Sequence, residues 1–146
     1  WQVRFIEMMP FGDVADFQQA GIVPEAELRA TIAEALGPLE LLNGGALDGE
    51  ARLYRLQDGV GRLGFISTVT EPFCAGCTRV RLTADGRLRL CLLRENEVNL
   101  LDPLREGASD AEMKALIEEA IWWKPWGHSL DEDVIPLNRV MSEIGG

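Results

Sequence analysis

The chain has 146 residues, 47% of them apolar, which is enough for one ordinary core and short of what a second full domain needs. A net charge of −10 leaves no basic face for general nucleic-acid binding, and no apolar run nears the roughly 20 residues that would cross a membrane. No secretory signal opens the chain, and Trp1 stands inside a strand pattern, so the expectation is a cytoplasmic piece of something longer.

Residues 2–9 read as a buried strand ended by Pro10 and Gly12. Arg4 is unusual there, because an unpaired buried guanidinium is costly, and the local acid Glu7 points to the other face of a strand. Pro24, Glu25 and Glu27 open a helix that is predicted to run to about Leu36 and stop at Gly37-Pro38. Its Leu28, Ile32 and Leu36 recur every four residues and give it one buried face. After Asn43-Gly44-Gly45 come short strands over about 51–56 and 61–69. Ser109, with Glu112 three residues later, makes a capping box for a helix over about 109–123. From Lys124 onward the chain reads as an irregular arm anchored by Trp122, Trp123 and Trp126, with His128 structural or at the surface. This order gives an α/β fold: the last strand and helix of an incomplete (β/α) barrel in 1–38. An appended antiparallel sheet with a C-terminal helix and tail follows in 39–146.

The charge is uneven. Residues 51–94 carry eight arginines against only Asp58, Glu71 and Asp85. Arginine is the side chain suited to forked recognition of phosphate or carboxylate. Within that basic region lie all three cysteines, Cys74, Cys77 and Cys91. From Cys77 the residues alternate, with Arg79, Arg81 and Thr83 on one side and Val80 and Leu82 on the other. After Ala84-Asp85-Gly86 the alternation resumes as Arg87, Arg89 and Cys91 against Leu88 and Leu90. A two-residue turn would throw Cys91 onto the apolar face. A three-residue loop with Gly86 left-handed pairs Arg81 with Arg89 and Cys91 with Arg79, and collects both cysteines and the arginines on one face.

Thiolates at that spacing suit an iron–sulfur cluster or zinc. Three cysteines without an evident fourth ligand leave an open coordination position, and four arginines beside it would stabilise an anion such as a triphosphate. A zinc-binding interaction module, with His128 or a carboxylate as fourth ligand, and an auxiliary-cluster domain of another radical enzyme are the alternatives.

At this hairpin the chain resembles the radical S-adenosylmethionine GTP 3′,8-cyclases of molybdenum cofactor biosynthesis. The likeness rests on C-x-x-C, a third cysteine after thirteen residues, and R-x-R directly behind the second cysteine. Arg4-Phe5-Ile6-Glu7-Met8-Met9, Gly64-Phe65-Ile66-Ser67, Lys124-Pro125 with His128, and Met141 to Gly146 extend it over nearly the whole chain. The resemblance implies that Cys74, Cys77 and Cys91 hold a 4Fe-4S cluster, and that Arg79, Val80, Arg81 and Arg4 bind GTP. It places Met9 at S-adenosylmethionine, and Gly145-Gly146 as a tail that enters the active site. It further implies a second 4Fe-4S cluster on an N-terminal C-x-x-x-C-x-x-C that generates a 5′-deoxyadenosyl radical. That motif is absent here, so the chain by itself is expected to hold no catalytic residue and to be inactive without the N-terminal part of the protein. One departure is Thr78, where the family usually has Asn. The sequence leaves a homodimer open.

Overall fold

The computed structural model describes residues 1–12, 20–132 and 135–144, so the expectation for Gly145 and Gly146 lies outside the described residues. The fold is mixed α/β with two sheets, one mixed and one antiparallel. The described residues form two compact units, 1–9 with 20–73 and 10–12 with 74–132 and 135–144.

In the first unit, β1 (Gln2–Ile6) runs parallel to β4 (Arg62–Ile66), and β3 (Arg52–Leu56) lies antiparallel between β4 and β2 (Leu39–Leu41). The sheet therefore runs across residue 38, and β2, which the Asn43-Gly44-Gly45 stretch hid from a periodicity reading, forms its edge. Phe65 is buried at its centre, stacked on Phe5 at 5.4 Å between ring centroids and met edge-on by Tyr54 at 5.5 Å. β1 is shorter than predicted. The Glu7 amide still donates to the Ile66 carbonyl, but the chain then leaves the sheet because the Glu7 side chain is taken up elsewhere. Helix α1 (Glu25–Leu36) has the predicted ends. Its apolar face is only partly covered: Leu28 and Ile32 are half-buried and Leu36 is 66% exposed.

In the second unit, β5 (Arg81–Leu82), β6 (Arg87–Arg89) and β7 (Glu97–Asn99) form an antiparallel sheet. Leu88 and Leu90 bury against Ala120 of helix α3 (Asp110–Trp122), with Val98, Leu100 and Ile117 around them. The capping box is present, with the Glu112 amide donating to Ser109 Oγ at 3.4 Å and the Ser109 amide to Glu112 Oε2 at 2.8 Å. β7 and the short helix α2 (Leu101–Arg105) were not anticipated. Asn99 starts α2 by accepting from the Leu101 and Asp102 amides. Among the described residues no helix is long and apolar enough to cross a membrane.

Candidate functional site

Cys74, Cys77 and Cys91 are all free and half-buried, and all lie in the second unit. Cys74-Ala-Gly76 makes one 3-10 turn, closed by the Cys77 amide donating to the Cys74 carbonyl at 3.0 Å. A C-x-x-C spacing in such a turn brings both side chains to one side. Cys91 follows β6 directly and is near enough for the Cys74 and Cys77 thiols to act on it electrostatically.

The hairpin register agrees with the binary pattern. Arg81 stands opposite Arg89 and Leu82 opposite Leu88, and Gly86 has φ +72° in a three-residue loop. Glycine is required there twice over, since a Cβ would also meet Leu101 Cβ at 2.6 Å. Two details depart from expectation. The ladder ends at Arg81, so Cys91 and Arg79 are not strand partners. Val80 and Leu82, expected on the apolar face, are 37% and 62% exposed, because α3 packs on Leu88 and Leu90 of the β6 side and β5 is the edge strand.

The arginine row is also not uniform. Arg89, only 1% exposed, donates from Nη1 to Glu97 Oε1 at 2.9 Å and from Nη2 to the Leu92 carbonyl at 3.1 Å. Its guanidinium lies over the Phe11 ring at 5.3 Å. Arg87 is paired with Asp85 at 3.5 Å. The repulsion expected between Arg81 and Arg89 is therefore relieved by Glu97, which β7 places directly across from Arg89. Of the four arginines, two are committed to carboxylates of this sheet. Arg79 and Arg81 follow Cys77 by two and four residues, Arg79 exposed and Arg81 half-buried.

Cys77 and Cys91 are shifted in opposite directions. Burial raises the Cys77 pKa, but the Arg79 amide, Lys124 and the Arg79 guanidinium outweigh it and bring the group below its ordinary value. Burial wins at Cys91 and raises its pKa, against the Leu93 amide and Lys124. The segment after α3 passes over the site. A Cβ on Gly127 would lie 3.9 Å from Cys74 Sγ, and Arg94 Nε holds the Gly127 carbonyl at 2.5 Å. His128 Nδ1 accepts from the Leu130 amide at 3.3 Å. Among the described residues no three His, Cys, Asp or Glu side chains are gathered for a single metal ion. Thiol donors at this C-x-x-C spacing have the chemistry of iron–sulfur or zinc ligands.

A family model described as Molybdenum Cofactor Synthesis C matches residues 1–130. The chain belongs to that family. It is 46% identical over 144 residues to a GTP 3′,8-cyclase of Pelotomaculum thermopropionicum, covering 99% of the chain and 44% of that protein. It is 42% identical over 152 residues to one of Gloeobacter violaceus, covering 100% and 46%. With one of Corynebacterium glutamicum it shares 39% over 153 residues, covering 99% and 40%. This member of the Molybdenum Cofactor Synthesis C family thus spans less than half the length of the curated relatives it matches.

The remaining predicted residues, Arg4 and Met9, fall in the first unit. Arg4 Nη2 donates to Asp48 Oδ2 at 2.7 Å, and its stem crosses Gly64, where a Cβ would meet Arg4 Cγ at 3.1 Å. Met9 is half-buried just after β1. Sequence reasoning missed a buried carboxylate pair in this unit. Glu7 Oε2 accepts from the Val69 and Thr70 amides, both at 2.9 Å, while Oε1 accepts from Thr70 Oγ1 and from the Glu25 amide at 3.3 Å. Glu25 is paired with Arg52 at 3.1 Å and Arg29 at 3.2 Å and accepts from Tyr54 and Ser67. Arg52 also donates to the Glu71 carbonyl at 2.8 Å. Together these bonds fix residues 67–71, the approach to Cys74. The available signal was that Glu7 stands in an otherwise apolar run.

Proposed function

We propose that this chain is the C-terminal part of a GTP 3′,8-cyclase of molybdenum cofactor biosynthesis, and that Cys74, Cys77 and Cys91 hold its second 4Fe-4S cluster. The observation that carries this reading is three half-buried thiols, two from one tight turn and one from just beyond β6, with Lys124 acting on two of them. When bound, such a cluster supplies an iron without a protein thiolate, to which a substrate base can attach. Arg79 and Arg81 bind the GTP side of the site. The Arg79 amide and guanidinium also steady Cys77 as a thiolate, and Gly127 closes the opposite side over Cys74. Arg4, Val80 and Met9 complete the GTP and S-adenosylmethionine contacts in the full protein, and Gly145-Gly146 reach its active site. β1 and α1 are the end of an incomplete barrel. The edge position of β1, with Val3 and Ile6 exposed, supports continuation of that sheet into the rest of the protein.

The test uses the full-length protein purified without air. Cys74→Ser, Cys77→Ser or Cys91→Ser should remove about half of its iron and leave the radical-generating cluster, seen as S-adenosylmethionine cleavage without GTP. Arg79→Ala and Arg81→Ala should keep the iron and weaken GTP binding. Full iron content in the cysteine variants, or zinc in place of iron, would overturn the assignment.

A further inference from the structure

Residues 136–144 are tied to the cysteine hairpin at several points, and the ties converge on one side chain. Arg139 Nη2 donates to Asp85 Oδ2 in the hairpin loop at 2.8 Å and to Glu97 Oε2 on β7 at 2.8 Å, while its Nε lies 2.7 Å from Glu97 Oε1. That is a forked pair with one carboxylate and a single bond to a second, the arrangement a guanidinium makes best. One turn earlier, Glu95 Oε1 accepts from the Leu137 and Asn138 amides at 2.6 and 3.0 Å. The Gly12 amide donates to the Pro136 carbonyl at 2.9 Å, and Ile144 ends the segment with its side chain wholly buried. Every partner belongs to the second unit.

We infer that Arg139 is a positioning residue that fastens residues 136–144 to the cysteine hairpin and β7. The carboxylates involved are available for this. Glu97 already neutralises Arg89, and its two oxygens serve both guanidiniums; Asp85 is exposed at the loop tip and gains a fixed partner. The arrangement is economical in chain terms. Arg139 is separated from Asp85 by 54 positions, yet it lies only five residues before Ile144. What this does for the enzyme rests on the proposal above that Gly145-Gly146 reach the active site, and the test separates the two.

The test compares the full-length protein with Arg139→Gln, Arg139→Lys and, as an exposed control, Arg105→Gln. Amide hydrogen exchange is read at Leu137, Asn138, Glu143 and Ile144. Arg139→Gln should speed exchange there by about tenfold, the scale of losing charge-assisted bonds. Lysine, which reaches one carboxylate at a time, should restore part of the protection, and Arg105→Gln should change nothing. Residues 87–99 should keep their protection, since Glu97 retains Arg89. Unchanged exchange in Arg139→Gln overturns the fastening, as does a glutamine variant no different from the lysine one. Should Arg139→Gln fail to fold, Asp85→Asn weakens the exposed arm, along with the Asp85 contact to Arg87, and must still raise exchange at the same four amides. Turnover decides the other reading. If exchange rises and turnover falls to that of a protein lacking Gly145-Gly146, both stand; if exchange rises and turnover holds, the fastening stands and the tail's role fails.

Discussion

Replacing Glu7 by glutamine changes one heavy atom and should cost the first unit about 4–6 kcal/mol. Both carboxylate oxygens of Glu7 are saturated by donors: two backbone amides on Oε2, and the Thr70 hydroxyl with the Glu25 amide on Oε1. A carboxylate can only accept, and four donors suit it; an amide must turn an NH₂ toward one pair. If the NH₂ takes the Oε2 place, it faces two amides and both are orphaned. If it takes the Oε1 place, Thr70 can rotate its hydroxyl to accept, and only the Glu25 amide loses its partner. The second arrangement is the better one. It leaves one buried donor unsatisfied, at about 1–3 kcal/mol, and it turns the three remaining charge-assisted bonds into neutral ones, at about 1 kcal/mol each. Removing a negative charge from the first turn of α1 adds a few tenths more. Urea unfolding followed by circular dichroism measures the sum. Exchange at Val69 and Thr70 shows where the loss falls, and the exposed Glu27→Gln serves as a control, expected within about 0.5 kcal/mol of the parent. A loss below about 1 kcal/mol for Glu7→Gln would refute the claim that the buried carboxylate organises the approach to Cys74.

Three further outcomes are expected. Gly86→Ala should destabilise by about 2–4 kcal/mol, from a left-handed φ and a clash with Leu101, measured by thermal unfolding. Leu88→Ala, which empties the contact between the antiparallel sheet and α3, should cost about 2–5 kcal/mol in the same assay. The third outcome concerns acid. Arg139 and Thr83 lower the Asp85 pKa, and at Glu97 hydrogen bonds from Arg139 and Arg89 outweigh burial and lower it too. Carboxylates depressed in the folded state give their full stability above the ordinary pKa of about 4 and lose it as pH falls through the lowered value. Protection of residues 137–144 should therefore persist through pH 4 and fail below it; release at pH 5 would contradict the pairing.

Much of this was legible in the residues, and the gaps have physical causes. The ends of α1 and α3 follow from local chemistry, Pro24 with two acids and Ser109 with Glu112, and both appear where that chemistry puts them. The hairpin register followed from asking which loop length keeps polar and apolar residues apart. The same alternation overreached at Cys77 to Val80, because alternation marks two faces and not whether a partner strand is there. β7 was missed because three residues carry too little periodicity, and with it went the Glu97 partner of Arg89. Glu7 and Glu25 were unreadable as a hub, since apart from Arg29 their partners lie 18 to 63 positions away. Arg139 escaped notice because its partners, Asp85 and Glu97, lie 54 and 42 positions away in the chain.

The cysteine-bearing unit is discontinuous along the polypeptide: β1 comes first, then a short visit around Phe11 and Gly12, then the first unit up to Phe73, and only afterwards Cys74. Cutting the gene before Cys74 would not excise that unit whole. Phe11 would be left behind, and the Arg89 guanidinium, buried beneath its ring, would open to water. Pro136 would lose the Gly12 amide in the same cut. Any attempt to isolate the hairpin as a minimal cysteine-bearing peptide has to carry residues 10–12 with it, as a graft or as a separate strand supplied in trans.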